Sequence, residues 1–146
     1  MTVAEAMTPA PEITEVMLEF YRRQLAGEAD AANDLISRDP ATLLIGSAGE
    51  WVDDQAVIRG TYQAQTEGLA AGDNPIAWSN GDMGWFADQP EWVFADGTRA
   101  RMRVSAVLQR EGAGWRIVHT HMSVAVPDNE CVMLQRRWQH GIPSPS

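Results

Sequence analysis

"LQREGAGWRIVHTHMS", Leu108 to Ser123, is the stretch that decides the fold. Glu111-Gly112-Ala113-Gly114 reads as a turn, because glycine supplies the backbone freedom that a tight connection needs. Just upstream, "TRARMRVSAVL" alternates Arg99, Arg101 and Arg103 with Ala100, Met102 and Val104. A period of two marks a strand with one face on a core and the other in water. Downstream of the turn, Trp115 to Ser123 reads as the returning strand. His119 and His121 lie two residues apart on it, and so share one face. Which face depends on register. Pairing Leu108 with Ile117 sets Ala106 beside His119 and Val104 beside His121, and both histidines point inward. A slip of one residue turns Val118, Thr120 and Met122 inward and sends the histidines out. The first register is the working expectation.

Before this hairpin the chain is helical. "EITEVMLEFYRRQLA", Glu12 to Ala26, places Ile13, Val16, Met17 and Phe20 at helical spacing, and Gly27 suits the position past its end. A second, short helix is expected from about Asp30 to Ser37, with Asp30 as its cap and Asp39-Pro40 ending it. "ATLLIGSAGEWV" reads as a strand, a turn at Ser47–Gly49 and a short strand carrying Trp51. A third helix is expected from Asp53 or Asp54 to about Ala71, with Ile58, Tyr62 and Leu69 on one face. From Pro75 the period shortens, and Asn80-Gly81 and Asp96-Gly97 mark hairpin turns. Helices followed by an antiparallel meander give an α+β domain. Residues 1–11 read as a flexible lead-in, 12–126 as the domain, and 127–146 as a tail or short helix.

Composition narrows the partners. The 146 residues carry twenty acidic and eleven basic side chains, a net charge of −9, and every basic one is arginine. A net acidic chain without a basic run does not fit nucleic acid or an anionic membrane. Without lysine there is no Schiff-base chemistry. Three histidines and one cysteine exclude a cysteine-rich zinc site. No apolar run reaches the roughly 18 residues of a membrane span. With no signal-like N-terminus and a lone Cys131, a cytoplasmic location is expected.

The hairpin residues Trp115, Val118, His119, His121 and Ser123 resemble the closing hairpin of the SnoaL-like branch of the nuclear transport factor 2-like superfamily. "IGSAGEW", Ile45 to Trp51, is similar to that branch's first hairpin. A similar ending occurs in the association domain of calcium/calmodulin-dependent protein kinase II. The resemblance implies a cone: a strongly curved antiparallel sheet wrapped around the N-terminal helices, with a pocket at the open end. It also implies a homodimer through the sheet's outer face. It implies no single activity, since the superfamily includes isomerases, polyketide cyclases, dehydratases, hydrolases and non-catalytic domains. The arginines that the kinase association domain carries into its pocket have no counterpart here, because Arg99, Arg101 and Arg103 are expected to face outward.

The candidate ligand contacts are Tyr21, Trp51, Tyr62, Trp85, Met102, His119 and His121. Tryptophan combines a large apolar body with one N–H, and a phenol can donate to a carbonyl oxygen. Each such residue could equally be core or interface, and the histidines could bond across the sheet. A strand His-x-His would need a third ligand to hold zinc, and His140 lies in the tail, so no metal or cofactor is expected. Asp53 could be a base or a helix cap, and the cap reading is favoured. Asp82 and Asp88 read as turn residues, and Cys131 as inert. No carboxylate pair commits to a mechanism. Three functions follow: a domain binding a hydrophobic small molecule, an enzyme of the same fold acting on an apolar cyclic substrate, or a dimeric assembly module.

Overall fold

A computed structural model of the chain describes residues 6–60 and 67–141. The elements are β1 (Thr8–Pro9), α1 (Pro11–Leu25), α2 (Ala29–Asn33), β2 (Leu43–Ile45), β3 (Trp51–Val52), α3 (Gln55–Gly60), β4 (Gly68–Ala70), β5 (Ile76–Asn80), β6 (Met83–Asp88), β7 (Glu91–Val93), β8 (Arg99–Arg101), β9 (Arg103–Glu111), β10 (Gly114–Ser123) and α4 (Asp128–Arg137). Seven strands form one sheet in the order β1-β5-β6-β9-β10-β2-β3, and β4-β7-β8 form a second. The large sheet is antiparallel except at one junction, where β10 runs parallel to β2. The all-antiparallel expectation is corrected at that pair. None of the described helices is long and apolar enough to cross a membrane.

The helix α1 begins at Pro11, whose missing N–H costs nothing in a first turn. Its buried residues, Ile13, Met17, Phe20, Tyr21 and Gln24, follow the helical repeat and form one stripe. That stripe packs on β4, β5, β6 and β10, so both sheets close around it. The described part of the lead-in is tied down: Thr8 and Pro9 pair with β5, and the Ala10 N–H donates to the Ala77 carbonyl at 2.9 Å.

Three helix expectations shift. The second helix is only Ala29–Asn33, and no side chain caps its start. In the third, Asp54 rather than Asp53 is the cap, its Oδ1 accepting from the Val57 N–H at 3.0 Å. The described part of that helix ends at Gly60, and Gly68–Ala70, expected to be helical, pairs with β7 instead. Leu69 still reaches the core, at 3% exposure, but from a strand. Tyr62 lies outside the described residues. In the described part of the tail, Asp128–Arg137 form α4, none of whose residues is buried.

The closing hairpin has its turn at Gly112-Ala113, with Gly112 at φ 61°, a conformation glycine adopts without strain. Leu108 does pair with Ile117. The register then slips between Ile117 and His119, so that Thr120 faces Ala106 and Met122 faces Val104. Val118 is the extra residue of a β-bulge. Across the sheet, Ala77, Phe86, Ala106, Thr120 and Leu44 form one inward row. Trp78, Trp85, Val107, His119 and Leu43 form the adjacent row on the other face. The inward expectation for the histidines is therefore reversed by a single bulged residue.

Candidate functional site

Between α1 and the two sheets lies a cavity of about 460 Å³. Its buried wall is apolar. Met17 and Phe20 come from α1, Leu44 from β2, Leu69 from β4, and Met102 and Val104 from the β8–β9 segment. Thr120 and Met122 enter from β10, which the bulge at Val118 turns inward. Trp92 and Phe94 line the side made by β7, where Phe94 is 42% exposed. Polar groups are few. They include Gln24, Ser47, Glu50, Glu67 and Thr120. Glu67 bonds to the wall itself: its Oε2 accepts from Trp92 Nε1 at 3.3 Å and its Oε1 from the Ala95 N–H at 3.1 Å.

Of the residues singled out from sequence, Met102 lines this cavity. Trp51 is 65% exposed, and its strand partner position leaves the indole in water. Trp85 sits on the outer face, 38% exposed, because Gly84 and Phe86 take the inward positions of β6. Tyr21 is buried, and its hydroxyl donates to Asp88 Oδ2 at 3.2 Å rather than opening into the cavity. Asp88 is no turn residue. It is 5% exposed, its Oδ2 also accepts from the Gly72 N–H at 3.1 Å, and its Oδ1 from the Gln89 N–H at 2.8 Å. Burial, with the Asp88 charge second, pushes the Tyr21 phenol well above its usual range. Gly72 is required there, since a Cβ would lie 2.4 Å from the Gln89 carbonyl oxygen.

His119 and His121 look away from the cavity. His121 is exposed, and His119 Nδ1 bonds the Leu43 carbonyl at 2.8 Å across the parallel pair. A carbonyl only accepts, so Nδ1 carries the proton and Nε2 is left on the outer face. Among the described residues no three His, Cys, Asp or Glu side chains come close enough to hold a metal. Replacing His119 by alanine should cost about 1 kcal/mol in urea unfolding, the ordinary value of one hydrogen bond. Binding in the cavity should be unchanged; a large loss of affinity in that variant would place the histidine on the ligand path.

Sequence reasoning missed Gln24, Glu67 and Trp92 as lining residues, and placed Thr120 and Met122 inward only in the register it did not favour. One signal was available for Gln24: it is a polar residue on the apolar stripe of α1, seven positions after Met17.

A two-sheet cone closed on a long first helix is the nuclear transport factor 2-like architecture, and solved structures agree. A putative dehydratase of the NTF2-like family from Streptomyces avermitilis superposes with a TM-score of 0.70 at 13% identity, covering 80% of this chain and 96% of that one. An NTF2-like superfamily protein from Salmonella enterica gives 0.68 at 21% identity, covering 81% and 92%. A putative calcium/calmodulin-dependent protein kinase type II association domain from Thiobacillus denitrificans gives 0.63 at 19%, covering 84% and 100%. At these identities the likeness is one of fold. The SnoaL-like domain model matches residues 13–127, and the chain belongs to that family. No curated protein matches it.

Proposed function

We propose that this domain is a non-catalytic binding module that takes a hydrophobic small molecule into the cavity between α1 and the sheets. The observation that carries the reading is the lining itself. A concave site of about 460 Å³, walled by methionine, leucine and aromatic side chains with a few polar groups, has the size and make-up of a small-molecule site. The Tyr21–Asp88 pair brings no acid–base group to the cavity: the two bond to each other outside its lining, and two backbone N–H groups occupy the carboxylate. Of the sequence candidates, Met102 is retained as a ligand contact. Titrating octanol should quench or shift Trp92 fluorescence and raise the melting temperature by mass action. A broad set of apolar ligands that leaves both unchanged would remove this reading.

We further propose that the domain is a homodimer through the outer face of the large sheet. The row Trp78, Trp85 and Val107 supports this, as do Ile76 at 41% and Met83 at 46% exposure on the same strands. An exposed apolar patch of this kind marks an interaction surface. Sedimentation velocity should give a dimer for the wild type and a monomer for Trp85→Glu. A wild-type monomer at micromolar concentration would refute the interface.

A further inference from the structure

The charges around the cavity have one sign. Among its described lining residues there is no arginine, lysine or histidine, and the only ionisable groups are Glu50 and Glu67. Neither forms an ion pair among the described residues; their hydrogen bonds are to backbone N–H groups and to the Trp92 indole. Glu67 is half-buried, so its charge is less screened than one in open water.

A second group points the same way. Gln24 is only 4% exposed and lines the cavity, and among the described residues its amide has no hydrogen-bond partner. Its Oε1 packs against Gly68, at 3.4 Å from where a Cβ would stand, and Gly68 follows Glu67 in the chain. An occupant of the cavity can offer the Gln24 amide a hydrogen bond. Gln24, Glu67 and Trp92 line this wall, and they bring an amide, a carboxylate and an indole ring. All three favour a cationic donor. The rest of the lining, Met17, Phe20, Met102 and Met122, offers only apolar surface.

We infer that the ligand is an amphiphilic amine, its apolar part on the methionines and its ammonium group held by Glu67 beside Gln24 and Trp92. This rests on the small-molecule reading above and names the ligand class for the same cavity. An anionic amphiphile would bring its charge against two carboxylates with no cation to receive it. The net charge of −9 adds attraction for a cation at long range.

The test compares octylammonium, octanol and octanoate by calorimetry at low and high salt. Octylammonium should bind about tenfold more tightly than octanol, and octanoate most weakly. The ammonium preference over octanol should shrink with added salt and vanish in Glu67→Gln. Glu50→Gln supplies a second reading should the first variant fail to fold, and the salt dependence needs no variant. If octanol and octanoate bind as tightly as octylammonium, the amine inference is overturned and the cavity reading stands. If none of the three binds, both fall.

Discussion

Asp88→Ala is expected to lower the stability of the domain by about 3–4 kcal/mol, roughly 10 °C in melting temperature. The reason is the number of donors that meet on one buried carboxylate. Tyr21 from α1, Gly72 from the loop after β4, and Gln89 at the end of β6 all donate to it. Removing the carboxylate leaves a buried phenol unpaired and frees the loop that carries the second sheet. Tyr21→Phe removes one donor and should cost about 1 kcal/mol. The two differ in pH dependence as well. The Tyr21 phenol is raised in the folded state, so the unfolded chain loses its proton first, near the ordinary value of about 10. This contribution is fully present below that pH and declines as pH rises above it. Tyr21→Phe should flatten that alkaline decline in a series of unfolding curves. An Asp88→Ala protein as stable as the wild type would show that the cluster does not anchor the two sheets.

The second large effect concerns the cavity. Thr120→Trp should abolish binding of octanol, lowering affinity at least tenfold, while leaving the fold intact. Thr120 lies in the inward row between Ala106 and Leu44, and it faces open volume rather than packed core. An indole placed there fills the space a ligand would use. Overpacking a tight core costs about 1–3 kcal/mol, and the void should hold the penalty to the low end. His121→Trp is the control, since His121 sits one residue along the same strand on the exposed face. Equal loss of binding in both variants would argue for a general disturbance of β10 rather than occupation of the cavity.

These two variants also show what was legible in the sequence. The alternation from Arg99 to Val104 reads as one strand; the structure keeps the arginines exposed and Met102 and Val104 buried, but divides the run at Met102 between β8 and β9, which belong to different sheets. The first helix, the first hairpin and the closing hairpin are likewise local patterns. The face of His119 was not legible, because a bulge at one residue inverts every side chain after it and leaves no mark in the hydrophobic pattern. Gly68–Ala70 has a helix-compatible sequence, and its pairing with β7 is set by a partner more than twenty residues away. Asp88 resembled a turn residue because two of its three donors, the Tyr21 hydroxyl and the Gly72 N–H, come from distant parts of the chain. Trp51 and Trp85 were attractive as pocket residues for their chemistry, but strand position decides exposure, and both fall on outward positions.

The most direct measurement uses the methionines, which sample the cavity and the rest of the surface separately. Met17, Met102 and Met122 line the cavity, whereas Met83 is 46% and Met133 53% exposed elsewhere. With methyl-labelled methionine, octanol titrated into the protein should shift the NMR signals of the first three and leave Met83 and Met133 in place. Shifts confined to Met83, on the outer sheet face, or no shifts at all, would contradict a ligand site inside the cone.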